Sequence, residues 1–412
     1  MKRRDFMRYA ALAAGGVIIP FGRDAWAATS PDATTTQRKL IIVMLRGAVD
    51  GLSVVVPYGD ANYYRSRPTI AVQRPGQEGG ALDLDGYFGL NPALAALQPL
   101  WQQRKLAFVH ASGSPDATRS HFDAQDYLES GTPGRKGTQD GWMNRLLGEL
   151  QGTATPTRAV SIGPLMPRIL SGRMPASNIA SGSAGSRPTL LDKPQIGSAF
   201  DQLYQGNDRY SKTYQQAQET HKEVMSSMDE EMMAANGGAP LPNGFPDDTA
   251  RLAQLMRNDP HVQFAFMALG GWDTHANQGS AKGQLANRLM PLGQGLASLA
   301  QHLGPVFDDT TIVVMSEFGR TVRQNGNNGT DHGHGNVMWL IGGPVNGGKV
   351  YADWRGLEDS HLHEGRDVPV TTDFRYVLGQ IAERHLRISD TRLQNVFPGL
   401  PDNSSNFALI RV

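Results

Sequence analysis

Three short apolar runs constrain this chain more than any other feature. Residues 40–45 read Leu-Ile-Ile-Val-Met-Leu, residues 310–315 Thr-Thr-Ile-Val-Val-Met, and residues 337–341 Val-Met-Trp-Leu-Ile. Such runs without polar alternation fit strands buried on both faces of a sheet. Residues 106–110, 159–162 and 262–269 extend the set, and helical patterns fall at 94–101, 120–130, 285–303 and 372–385. Ser120 stands where the second helix needs an N-cap. Alternating strands and helices predict an α/β fold, a mostly parallel sheet flanked by helices on both faces. Residues 171–250 break the alternation. They are rich in Ser, Gly and Pro up to Gln195, then polar and helical over 200–235, and read as a helical insertion on the main domain. Within it, Met225, Met228, Met232 and Met233 read as helix-packing surface rather than a thioether metal box.

The 412 residues allow two or three domains, or one large α/β domain with insertions. Lys and Arg number 39 and Asp and Glu 39, so the chain lacks the basic excess of a nucleic-acid binder. With 39% hydrophobic residues it is no disordered acidic chain either. It has no cysteine, which excludes thiolate nucleophiles, disulfides and zinc–thiolate sites. At the start, Arg3-Arg4 precede an apolar stretch of residues 9–19 and then Ala25-Trp26-Ala27. That order reads as a twin-arginine export signal over residues 1–27, with 28–38 as linker and 39–412 as the α/β domain. The stretch is too short to span a bilayer. The expectation is therefore a periplasmic or secreted protein that engages the twin-arginine export machinery and has no stable membrane anchor. Removing residues 1–27 leaves 34 basic against 37 acidic residues.

Acidic and imidazole side chains recur just after the buried runs. Asp50 follows the first. Asp273 and His275 follow residues 262–269, and Glu317 follows 310–315. Asp331, His332 and His334 share a glycine-rich loop before 337–341. Open α/β sheets bind ligands beyond the carboxyl ends of their strands. Carboxylates and imidazoles without thiols suit zinc, manganese or iron, with calcium or magnesium favoured where oxygens dominate. Each piece has a plainer reading alone: Asp50 as a turn former, Glu317 in a salt bridge to Arg320 or Arg323. Ser120 sits at a helix N-terminus, where amides favour an alkoxide or phosphate. It reads equally as a nucleophile and as a simple cap, with Thr118 in reserve. His121 reads as a ligand or as a structural histidine. Arg46, Arg119 and Arg320 offer guanidinium groups to an anion, or form surface ion pairs.

Arg46-Gly-Ala-Val-Asp-Gly-Leu52, Ser120-His-Phe-Asp-Ala-Gln-Asp126, Gly271-Trp-Asp-Thr-His275, Ser316-Glu-Phe-Gly-Arg-Thr321 and Asp331-His-Gly-His334 together resemble an exported bacterial family. It is known as domain of unknown function 1501 and is grouped with the alkaline phosphatase/sulfatase superfamily. The resemblance covers nearly all of residues 38–400. It implies an alkaline phosphatase-like core with two divalent metal ions. By its pattern Asp50 bridges toward a nucleophile at Ser120, Asp273 and His275 bind one ion, Glu317 binds the other, and His334 or His332 completes the first site. Alkaline phosphatases carry Asp-His where this chain has Glu317-Phe318, so one imidazole is replaced or lost. The modified residue of sulfatases has no counterpart, since the chain has no cysteine and no Ser-x-Pro-x-Arg.

The resulting expectation is an exported, metal-dependent hydrolase acting on a small anionic phosphate or sulfate ester, or a glycan ester. The competing expectation is a non-catalytic metal-binding or assembly protein that keeps the fold. A phosphomutase or transferase of the same superfamily ranks third.

Overall fold

In the computed structural model, residues 37–152, 154–181, 235–400 and 407–411 are described. The expected export signal, the linker up to residue 36 and the four methionines lie outside them.

The apolar runs pair into one nine-stranded sheet. Its strands are β1 (Lys39–Leu45), β5 (Leu106–Gly113), β6 (Ala159–Ile162), β7 (Ser177–Ile179), β8 (Phe264–Leu269), β9 (Thr310–Ser316), β10 (Asn336–Gly342), β11 (Lys349–Tyr351) and β12 (Thr372–Asp373). The order is β11-β5-β10-β9-β1-β8-β6-β7, with β12 also on β5. A second sheet joins β2 (Val55–Val56), β3 (Leu82–Asp83) and β4 (Gly89–Leu90). In the large sheet β1 is central and parallel to both neighbours, with Leu45 opposite Leu269 and Ser316. β10 runs antiparallel to both β5 and β9. The sheet is thus mixed but mostly parallel.

Alternate residues of β1 face opposite layers, as the two-residue repeat of a strand requires. Ile41, Val43 and Leu45 join one hydrophobic cluster, Leu40, Ile42 and Met44 the other. Of the helices, α1 is His121–Ser130, α2 Trp142–Glu149, α3 Phe245–Asn258, α4 Gln284–Leu303 and α5 Phe374–Gln380. α4 covers the first layer through Leu289, Leu292 and Leu296, while α2 and α5 cover the second through Leu146, Leu147, Val377 and Leu378. Every β1 residue is buried because helices close both sides.

Three expectations change in detail. The helix expected at 94–101 is a 3-10 turn, Pro92–Leu97, followed by a short α-helix at Gln98–Gln102. The helix expected at 372–385 opens with two residues of β12 and ends in a π-turn over Ile381–His385. Within the expected insertion, Ser177–Ile179 is the sheet's edge strand and Phe245–Asn258 packs on the core. Residues 182–234 lie outside the described part. No helix among the described residues is long and apolar enough to cross a membrane.

Candidate metal centre

The sheet delivers several segments to one edge. β1 exits through Arg46 to Asp50, β8 through Gly270 to His275, β9 into Glu317 and β5 toward Ser120. The loop of residues 331–335 precedes β10, and in an all-parallel sheet it would lie at the opposite edge. Because β10 is reversed, the loop reaches the same edge as the others. The segments approach closely. Gly47 has φ +113, and a Cβ on it would stand 2.8 Å from the Asp273 amide nitrogen. A Cβ on Gly333 would stand 2.5 Å from the Arg320 carbonyl carbon.

His121, Asp273 and His332 each bring one ligand atom within 4.8 Å of the other two, a group able to hold a metal ion. Hydrogen bonding fixes the imidazoles. His121 Nδ1 lies 2.8 Å from Glu317 Oε1, and His332 Nδ1 lies 2.9 Å from the Arg119 carbonyl. Carboxylate and carbonyl oxygens accept, so each Nδ1 donates and each neutral ring keeps its lone pair on Nε2. The two Nε2 atoms stand 2.9 Å apart, and His275 Nε2 is 3.0 Å from that of His332. Facing lone pairs repel at that distance unless a cation, either a proton or a metal ion, lies among them. Asp273 adds an oxygen 2.9 Å from His275 Nε2 and 3.3 Å from His332 Nε2. Imidazoles held through Nδ1 by oxygen acceptors, with Nε2 converging on a carboxylate, match a metal-binding donor set.

The charges agree. Burial opposes ionisation of Asp273, but hydrogen bonds from His121, His275 and His332 and the Arg320 charge outweigh it. They hold the carboxyl far below the usual carboxylate range. Burial pulls His121 down, yet Asp273 and Glu317 more than compensate and raise it to about 9. Glu317 is fully buried and stays ionised, because the His121 bond and charge outweigh its desolvation.

The residues singled out from the sequence take different places. Asp273, His275 and His332 come together. Glu317 does not join the ligand group; its Oε1 accepts from Gly47 N, His121 Nδ1 and Gln125 Nε2, and its Oε2 from Ser316 Oγ. It orients His121 instead. Asp50 is also outside the group. It is buried in an ion pair with Arg67, and Ser53 Oγ and Gln278 Nε2 each donate to it at 2.7 Å. Asp331 is half-exposed and accepts from Asn325 and, at 3.4 Å, from His275 Nδ1. His334 lies apart, its Nε2 3.2 Å from the Ser114 carbonyl and its ring 4.5 Å from that of His363. Arg320 is buried and committed to Asp273 and to the carbonyls of Gly47, Ala48 and Thr330. It is a brace for Asp273 rather than an open anion clamp. Arg46 pairs with Glu129 at 2.6 Å and with the Gly237 carbonyl, leaving Nε without a partner. Ser120 is exposed at the start of α1, where its Oγ accepts from Asp123 N at 3.4 Å.

The sequence reading left His121 undecided. Its position immediately after the cap of α1 was the available signal, because a first-turn side chain can reach off the helix end. Gln125, one turn on, shares that face and also reaches Glu317.

The family described as Protein of unknown function (DUF1501) matches residues 101–397. No match is found among curated proteins. Similar solved structures include Ps i-CgsB in complex with k-i-k-neocarrahexaose, at 11% identity, TM-score 0.39, over 77% of this chain and 68% of that one. A protein in the alkaline phosphatase superfamily from Vibrio parahaemolyticus is similar at 11% identity and TM-score 0.38, over 77% of this chain and 63% of that one. The C-terminal periplasmic domain of EcEptC from Escherichia coli, in complex with Zn, is similar at 11% identity and TM-score 0.35, over 76% and 74%.

Proposed function

Since the chain belongs to the DUF1501 family of unknown function, we propose from its own site that it is a metal-dependent hydrolase of small phosphate or sulfate esters. The observation that carries this reading is the convergence of three imidazole Nε2 atoms on the Asp273 carboxylate, with Ser120 the helix cap immediately before His121. His121, Asp273 and His332 would hold a divalent ion, with His275 flanking them. Two imidazole nitrogens and one carboxylate oxygen, with the His275 nitrogen nearby, favour zinc, manganese or iron over calcium or magnesium. When bound, such an ion supplies Lewis-acid polarisation of the ester and eases ionisation of a nearby hydroxyl.

The chain's own residues do the rest. Arg320 keeps Asp273 ionised and fixed. Glu317, the Arg119 carbonyl and Asp331 set the orientation of His121, His332 and His275. Ser120 would give up its hydroxyl proton and attack the phosphorus or sulfur centre, breaking the ester bond so that the alcohol departs with a proton. Water would then cleave the seryl ester to release phosphate or sulfate and restore the serine. The first amides of the ten-residue α1 favour the negative charge that develops there. Arg46 lines a cavity of about 200 Å³ with Ser161 and Phe266, and would have to leave Glu129 to reach the ester's anionic group. Residues 1–27 would direct the protein through the twin-arginine machinery to such a substrate outside the cytoplasm.

The test is turnover of p-nitrophenyl phosphate and p-nitrophenyl sulfate by the purified chain with zinc, manganese, magnesium or calcium. Turnover should require metal and vanish in Ser120→Ala, which should still bind the ion. Metal binding without turnover of any ester would support the non-catalytic reading. Activity intact in Ser120→Ala would remove that serine from the mechanism.

A further inference from the structure

The residues that immediately precede four neighbouring parallel strands line a cavity of about 510 Å³ at the edge of the sheet opposite the metal centre. They are Arg38 before β1, Arg158 before β6, Gln263 before β8 and Asp309 before β9. Arg387 and Arg392 close it from the C-terminal part of the chain. The lining carries four guanidinium groups against two carboxylates, Glu149 and Asp309, and Arg392 stands 3.7 Å from Glu149.

Arg158 is the unusual member. It is 5% exposed, yet its partners are neutral. Nε donates to Gln263 Oε1 and Nη2 to the Gln151 carbonyl, each at 2.5 Å, and Nη1 has no partner. It forms no ion pair among the described residues, and desolvation lowers its pKa. A buried charge without a counter-charge is costly. A bound anion offsets that cost, and a guanidinium matches the oxygens of phosphate or carboxylate. The volume suits a small organic ligand rather than a bare ion.

We infer that this cavity is a binding site for a small organic oxyanion, a phosphate monoester or polycarboxylate, with Arg158 as the central cation and Arg38, Arg387 and Arg392 around it. The site is separate from the metal centre and independent of the proposed hydrolysis.

The experiment is calorimetric titration of the full chain with inorganic phosphate and with citrate, at constant ionic strength set by chloride. It is repeated in Asp273→Asn, so that oxyanions at the metal centre do not contribute. One saturable site per chain should persist in that variant, and the tighter probe distinguishes the phosphate from the carboxylate source. Arg158→Gln should weaken it by about tenfold or more, the effect of losing one charged hydrogen bond. Arg392→Gln removes a half-exposed side chain without disturbing the core, and should weaken binding several-fold even if Arg158→Gln fails to fold. The inference is overturned by absence of saturable binding, by binding that folded Asp273→Asn alone abolishes, or by affinity unchanged in Arg392→Gln and in folded Arg158→Gln.

Discussion

Glu317 and His121 are joined through Oε1 and Nδ1 at 2.8 Å, and this bond turns His121 Nε2 toward His332. Glu317→Gln preserves the volume but removes the charge that fixes the ring. Partners of this kind are worth about 10–100-fold in metal affinity. Chelator competition should show a loss in that range, with the fold intact by circular dichroism. Unchanged affinity would mean that Glu317 does not act through His121.

Asp273 and Arg320 form a buried pair at the centre of the site. Asp273→Asn leaves the guanidinium without its counter-charge, which costs about 3–5 kcal/mol. It also replaces the anionic oxygens offered to an ion with a neutral amide. Urea unfolding should show the stability loss, and elemental analysis should show the bound ion gone. Retention of a full equivalent of metal would place the ion elsewhere.

Asp50 and Arg67 form an equally buried pair that faces protein partners. Asp50→Ala should therefore destabilise the fold by about 3–5 kcal/mol. The metal content of folded protein should not change. A drop in stoichiometry without loss of stability would restore Asp50 to the ligands.

His110 and His385 give the fold an acid limit. Burial lowers each from 6.5 to about 4, and their Nε2 atoms bond the Val55 and Lys39 carbonyls. The unfolded chain takes up these protons near pH 6.5, whereas the folded chain resists until about pH 4. Stability is thus full above pH 6.5 and falls as the pH drops toward 4. Each histidine contributes on the order of 3 kcal/mol to that loss. Urea midpoints should fall across this window, and His110→Gln should flatten the slope. A midpoint constant from pH 7 to 4 would contradict the assignment.

Residues 40–45 and 310–315 declared themselves as strands because helices cover both their faces, leaving no polar alternation. Ser120 was legible as a cap because its hydroxyl can accept from an amide of the first helical turn, a local rule that leaves its role as a nucleophile open. The direction of β10 was not legible. Residues 337–341 read alike in either orientation, since burial on both sides erases the distinction. That orientation brings His332 to the site, so the sequence suggested the right loop without showing how it arrives. Asp50 and Glu317 are offered as ligands by the family resemblance and as a turn former and a salt-bridge partner by the residues alone, because an acid after a strand looks the same whether it meets a metal, Arg67 or His121. Only the three-dimensional partners separate those roles.

The reversal of β10 ties the candidate metal centre to strand registry. β9 and β10 form one antiparallel pair, with Trp339 opposite Val314, and the chain between them carries Glu317, Arg320 and His332. A slip of two residues keeps every side chain on its own face and so preserves the apolar pattern, though not the fit of the packed side chains. It would also carry one strand about 7 Å along the other. That exceeds the 4.8 Å within which His121, Asp273 and His332 gather. The apolar pattern alone does not distinguish the two pairings, and an ion gripped by those three side chains would add to the core packing that rejects the misaligned one.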